Sequence, residues 1–446
     1  MFENLFYVDQ LSGLILLVIG IVGVSVISFS RRYLEGDGLY GRFFGNIITL
    51  IICVVLMSIS DHAVLFLFFW GMGNVFLVRL MMHKKSWEAS RQSGILAGKY
   101  FTFGFFMISS GIGLLVYSSR TTSIHQMIYA KYDDNILCIS LILLLLGAMA
   151  QSAIFPFHKW LISSLNSPTP VSAIMHAGLV NGGGFLLTRF APLYVKAPYI
   201  LDVIFVAGLV TAIMGTLWKL IQHDVKKMLA CSTMGQMGFM MVQFGLGLFP
   251  AALTHLCFHG FFKAYLFLAS GSAAREKKLE LNYPPRLLDL ILSFFIGILG
   301  IITFAFVGGK NLMTLDTNLF VFLITFVASV QFALPIVSND GRAFKMIPVA
   351  VMGVISFTAF YAMCVAIVEN ILEPLNLIHS EPLNWIHIVG GGILCFLWII
   401  MMMSNHLAYI LDKFPYMQRL YVLMLGSSQP APKTITSFRN NYRYKA

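Results

Sequence analysis

Of 446 residues, 58% are hydrophobic and only 11% are Asp, Glu, Lys or Arg, against about 25% charged in soluble domains, which excludes an ordinary soluble protein. The net charge of +11 is spread in the way that membrane topology and lipid headgroups require, not gathered into a polynucleotide-binding surface. All six cysteines, Cys53, Cys138, Cys231, Cys257, Cys364 and Cys395, fall in apolar runs without a Cys-x-x-Cys pair, which argues against disulfides, zinc and iron–sulfur clusters in this chain.

About thirteen runs are long and apolar enough to cross a hydrocarbon core. They predict an all-α polytopic membrane domain over 1–404, with its core at 43–310, and a basic tail over 405–446, part of it on the membrane surface. Counting the adjoining span ends, alternate loops and the tail hold about 23 Lys and Arg against about 5 on the other side, which puts the N-terminus outside and the tail in the cytoplasm.

The first span, 8–30, follows a start without a basic leader region, so it is expected to be retained. It ends at the anchor Arg31-Arg32. Spans two and three cover 43–59 and 62–82, and the third reads HAVLFLFFWGMGNVFLVRL. Arg79 lies near its cytoplasmic end, where a long side chain can snorkel. Span four covers 100–119 and span five 136–157. From Gly147 to Arg189 the chain leaves that fifth span at Phe155-Pro156-Phe157, passes Ser167-Pro168-Thr169-Pro170 and enters span six, 170–191, with His176, Asn181 and Gly182 to Gly184. Proline and glycine in lipid are tolerated where protein or a water-filled cavity satisfies the freed backbone, so this stretch marks a site.

Spans seven and eight, 199–221 and 226–247, are joined by WKLIQHDVKK, Trp218 to Lys227. Its lysines suit headgroup anchoring, while His223-Asp224 could deliver protons or meet a soluble partner. Span eight carries Ser232, Thr233, Gly235, Gln236 and Gly238, small and hydroxyl residues that let membrane helices approach and hydrogen-bond. Span nine, 250–274, places His255, His259 and Lys263 at i, i+4 and i+8, within about 80° of arc and roughly 12 Å of one face. A mid-bilayer ammonium costs about 2.5–3.5 kcal/mol, so Lys263 should face the bundle interior or water. The His-x3-His spacing also suits a metal pair, but no third ligand is evident nearby. Span ten, 287–307, ends in Gly308-Gly309-Lys310, either a second broken helix or the start of a loop. Spans eleven to thirteen, 318–337, 344–370 and 384–404, carry few central charges, and the stretch Glu369 to Glu381 reads as an acidic outer loop.

Three stretches in order, PFHKWLISSLNSPTPVSAIMHAG, HDVKKMLACSTMGQMGFM and LTHLCFHGFFKAYLFLASGSA, resemble the proton-conducting antiporter-like superfamily. This includes the large membrane subunits of respiratory complex I, the Mrp-type cation/proton antiporters and the membrane subunits (DabB) of DAB-type inorganic carbon transporters. The resemblance runs roughly from Leu65 to Lys310. The details SSLNSPTPVSA, HAGLVNGGGFLLTRFAP and AYLFLASGSA look most like the DAB-type membrane subunits.

The resemblance implies the antiporter-like fold, with inverted repeats and two broken helices, near Pro156 and Gly308. It implies a path for H+ or Na+ through His176, His255, His259, Lys263 and Lys310, lined by Gln151 and Asn181. It further implies a bacterial plasma-membrane location and a large cytoplasmic DabA-like partner whose zinc performs carbonic-anhydrase-like chemistry. This chain itself is expected to be a non-enzymatic transporter subunit without cofactor, bound to lipid and to no nucleic acid. Two positions depart from the family's pumps. Gly71 stands where a glutamate follows the tryptophan, and Gln151 stands where a lysine precedes the proline, so a carboxylate–amine pair cannot operate there. The long lateral helix of the resembling complex I subunit is not expected after span thirteen. The alternatives are a proton-pumping subunit of a complex I-like or hydrogenase machine, an Mrp-type Na+/H+ exchange subunit, and a structural scaffold.

Overall fold

The computed structural model describes residues 5–271, 286–338, 343–375, 377, 382–402 and 415–435. Among them the regular structure is helical, with isolated β-bridges and no strands. Twelve of the described helices are long and apolar enough to cross a membrane. Their outward faces carry exposed apolar side chains such as Leu17, Val24, Ile52 and Phe106, as helices bathed in hydrocarbon do.

The chain divides into two compact units. One comprises Met1–Gly245, His255–Arg275 and Met424–Ala446, the other Leu246–Thr254 and Glu276–Leu423. The first begins with α1 (Gln10–Tyr33), α2 (Tyr40–Ile59), α3 (Ala63–Met81), α4 (Glu88–Ser119), α5 (Ile124–Tyr129) and α6 (Asp134–Gln151). Next come α7 (Lys159–Ile162), α8 (Thr169–Ala177), α9 (Gly182–Arg189), α10 (Ala191–Val195), α11 (Pro198–Leu220) and α12 (Val225–Gly245). Helix α13 (Phe249–Ala269) enters this unit at His255.

Helix α12 was expected as an eighth ordinary span, but it is not among the twelve apolar helices. It has spanning length, 21 residues, yet carries the polar residues Thr233, Gln236 and Gln243, which lower its hydropathy. The helix exposes Gln236, while protein encloses the other two, Thr233 and Gln243. Its backbone lies directly on α11, since a Cβ added at Gly215 would sit 2.3 Å from the Gly235 nitrogen. Asp224 caps its start, accepting the Lys227 N–H at 2.9 Å.

The fifth expected span is helical only to Gln151. Ala153 follows at φ 54°, and the Phe155–Pro156 peptide is cis. The sixth divides into α8, a 3-10 turn at Leu179–Asn181, and α9. The two interruptions satisfy each other. Ser152 Oγ donates to the Val180 carbonyl at 2.6 Å and Gln151 Nε2 to that of Leu179 at 3.3 Å. The Phe155 N–H reaches Thr211 Oγ1 at 3.1 Å, so the freed groups find protein partners. The triple glycine is not itself the break. It opens α9, where a Cβ at Gly183 would lie 2.4 Å from the Ala148 oxygen and one at Gly184 2.8 Å from Met240 Sδ.

Residues 427–434 pack against the same region. Lys159 Nζ donates to the Ser427 and Gln429 carbonyls at 2.7 and 3.2 Å, and Asn166 Nδ2 to that of Thr434 at 2.7 Å. Lys226 donates to the Ser167 carbonyl at 3.2 Å and Lys227 to Gln429 Oε1 at 3.3 Å. These two lysines, expected as headgroup anchors, thus have protein partners. Of the tail, 405–414 and 436–446 lie outside the described residues.

The second unit contains α14 (Leu287–Val307), α15 (Asn318–Val337), α16 (Ala343–Leu372), α17 (Trp385–Met402) and most of α18 (Pro415–Ser427). Ile296, Ala333, Val337, Ala350 and Val354 form a core between α14, α15 and α16. The break expected near Gly308 is a helix end. Gly309 has φ +62° and the Lys310 N–H bonds the Ala305 carbonyl at 2.9 Å, the Schellman pattern in which a left-handed glycine closes a helix. Glu369, expected in an outer loop, lies within α16. Residues 376 and 378–381 of that stretch are outside the described residues.

Candidate functional site

The stripe on α13 is half-buried at His255 and buried beyond it. Lys263 is fully buried and His259 nearly so, and the His255 and His259 ring centroids are 6.3 Å apart. His255 Nδ1 lies 3.0 Å from Gln243 Oε1 on α12. Among the described residues, neither ring nitrogen of His259 has a hydrogen-bond partner. Lys263 Nζ donates to the Leu229 carbonyl at 3.2 Å, and among the described residues no carboxylate pairs with it. An ammonium held by one carbonyl is a costly arrangement for packing alone. No third His, Cys, Asp or Glu joins His255 and His259 in a metal-holding group among the described residues.

His176 comes to the same carbonyl from α8. Its Nδ1 is 3.1 Å from Thr233 Oγ1, which is 3.0 Å from the Leu229 oxygen. The imidazole stacks on Phe267 with centroids 4.2 Å apart. A histidine on one element and a lysine on another thus meet through a threonine hydroxyl and one backbone oxygen.

Gln151 and Asn181 line the helix interruptions. Gln151 forms a reciprocal amide pair with Asn74 of α3 at 3.2 and 3.1 Å. Both border a cavity of about 40 Å³ with Trp70, Gly178 and Gly182, enough for water. Asn181 Nδ2 donates to the Ala177 carbonyl at 2.8 Å, while its buried Oδ1 has no partner among the described residues. Gly71 is turned elsewhere, toward Phe105 of α4, whose ring a Cβ would meet at 3.2 Å. Arg79, in the last turn of α3, has its guanidinium 5.2 Å from the Phe76 ring centroid.

The predicted path residues therefore separate. His176, His255, His259 and Lys263 share the first unit with Gln151 and Asn181. Lys310 belongs to the second unit, where its Nζ pairs with Glu369 at 2.7 Å. Asn74, Gln243 and the Leu229 carbonyl were not singled out from sequence, although an amide in so apolar a run as α3 is a signal. At the far end of α9, Arg189 pairs with Asp9 and donates to Ser12 Oγ and the Ser58 carbonyl at 2.9 and 3.0 Å. Burial works against the Asp9 carboxylate, but Arg189 and the Ser12 hydrogen bonds hold it below its usual range.

A sequence profile described as "NADH:quinone oxidoreductase/Mrp antiporter, TM" matches residues 60–309. A second, "NADH-Ubiquinone oxidoreductase (complex I), chain 5 N-terminus", matches residues 2–44. The chain is 36% identical over 286 residues to "Probable inorganic carbon transporter subunit DabB1" of Halothiobacillus neapolitanus, covering 61% of this chain and 50% of that protein. It is 34% identical over 275 residues to "Probable inorganic carbon transporter subunit DabB" of Bacillus subtilis, covering 60% and 54%. It is also 34% identical over 289 residues to "NAD(P)H-quinone oxidoreductase subunit 5, chloroplastic" of Phaseolus vulgaris, covering 63% and 38%. The chain thus spans about half or less of these relatives. Its fold matches a chain of the Mrp complex from a Dietzia species with a TM-score of 0.58 at 21% identity, covering 90% of this chain and 43% of that one.

Proposed function

We propose that this chain, which belongs to the NADH:quinone oxidoreductase/Mrp antiporter transmembrane family, conducts H+ or Na+ and thereby powers inorganic carbon capture by a partner subunit. The observation that carries ion conduction is Lys263, fully buried without a carboxylate partner among the described residues and joined through the Leu229 carbonyl and Thr233 to His176. Groups that gain and lose protons inside a membrane bundle are costly and serve transport far more often than packing.

The carbon role rests on the names of the two DabB relatives. In this reading a large cytoplasmic DabA-like subunit holds zinc and converts CO2 to bicarbonate, while this chain supplies the ion flow that makes the conversion net. The chain sits in the bacterial plasma membrane with its N-terminus outside and its tail in the cytoplasm, as its loop charges favour. Redox-driven pumping is disfavoured by the Asn74–Gln151 pair, since two neutral amides neither take up nor release a proton near pH 7.

The test is growth in ambient air of a carbonic-anhydrase-deficient bacterium expressing this chain alone or with the gene encoded beside it. Rescue by the pair only, lost in a well-expressed Lys263→Ala variant, is the expected result. A well-expressed pair that fails to rescue would overturn the carbon assignment and leave Mrp-type exchange as the function.

A further inference from the structure

We propose that Thr233 is a positioning residue of the ion path, holding His176 in the tautomer with hydrogen on Nδ1 so that Nε2 is the nitrogen that takes up and releases a proton. The inference deepens the ion-path reading, and it follows from counting hydrogens. A threonine hydroxyl has one hydrogen and two lone pairs. The Leu229 carbonyl, 3.0 Å away, can only accept, so the hydroxyl donates to it. What Thr233 then presents to His176 Nδ1, 3.1 Å away, is a lone pair, and Nδ1 must carry the hydrogen. The stacked Phe267 ring, 4.2 Å between centroids, holds the imidazole plane in this orientation.

The same carbonyl accepts from Lys263 Nζ at 3.2 Å. When Lys263 gives up its proton, the carbonyl loses its charged donor and the Thr233 hydroxyl becomes its principal side-chain partner. That polarises the hydroxyl and strengthens its acceptance from His176. Thr233 therefore links the state of the lysine to the basicity of Nε2 on a different helix. Its packing would be reproduced by valine, but its hydrogen bonding would not.

The experiment joins a spectroscopic and a transport readout on the full chain in lipid. With 15N-histidine labelling, and His176 assigned by its loss in His176→Gln, the neutral ring of the wild type should show a protonated Nδ1 and an unprotonated Nε2. Thr233→Val should give a mixture of tautomers and slow ion flux in liposomes about tenfold, the equivalent of one buried hydrogen bond. Thr233→Ser should restore both. A wild-type His176 protonated on Nε2, or a Thr233→Val variant with wild-type tautomer or flux, would overturn the proposal. Failure of the ion-path reading itself is separate: wild-type liposomes would then conduct neither H+ nor Na+, while the tautomer would still be read from the spectrum.

Discussion

Replacing Gln151 by leucine tests whether the first helix interruption is a neutral lock or a proton carrier. Gln151→Leu removes three hydrogen bonds, two to Asn74 and one to the Leu179 carbonyl. At about 0.6 kcal/mol per hydrogen bond between membrane helices, the cost is about 2 kcal/mol. Asn74→Leu removes the two bonds of the pair, or about 1 kcal/mol on the same scale. If the amides bond each other, the double variant counts those two bonds once and costs about 2 kcal/mol, giving a coupling of about 1 kcal/mol. The assay is reversible unfolding of each variant in mixed micelles by titration with a denaturing detergent. Ion flux through Gln151→Leu should stay within about twofold of wild type, because no titrating group has been lost. Additive single costs would show that the amides do not pair, and a collapse of flux in stably folded Gln151→Leu would refute the lock.

The contact of α11 with α12 predicts a sharp contrast between two glycines. Gly215→Ala forces a methyl to within 2.3 Å of the Gly235 nitrogen and should cost about 1–3 kcal/mol, read as a fall in Tm. Gly13→Ala meets nothing within 4 Å and should be neutral or stabilising by up to about 1 kcal/mol. His158 gives a pH prediction. Burial, assisted by Lys159, lowers it from 6.5 to about 4. A base whose folded pKa is lowered favours the folded state above the unfolded value. That stability is lost as pH falls from 6.5 toward about 4. Tm in detergent should decline over that window, and the decline should be shallower in His158→Gln.

The spans were readable because a hydrocarbon core demands length and apolarity, and those are properties of sequence. Helix α12 shows the limit. Thr233 and Gln243 are enclosed by neighbouring helices, which hydropathy does not encode. Glycine was ambiguous for the same reason. Gly182 to Gly184 and Gly308-Gly309 both suggest breaks, yet the first set allows close approach and the second caps a helix end. The stripe of His255, His259 and Lys263 follows from helical spacing alone. Its partners do not: His176 meets Thr233 across 57 positions and Asn74 meets Gln151 across 77, pairings that only the packing of helices creates.

The claim that the buried lysine serves ion movement is tested most directly by flux in liposomes containing the purified chain. H+ and Na+ uptake would be followed under an imposed gradient for wild type and Lys263→Met, which keeps most of the side-chain length without its charge. The wild type should dissipate one of the two gradients, and Lys263→Met should do so at least about tenfold more slowly, as expected when a required proton-carrying group is lost. Equal flux in the two proteins, with both folded and equally incorporated, would contradict the account.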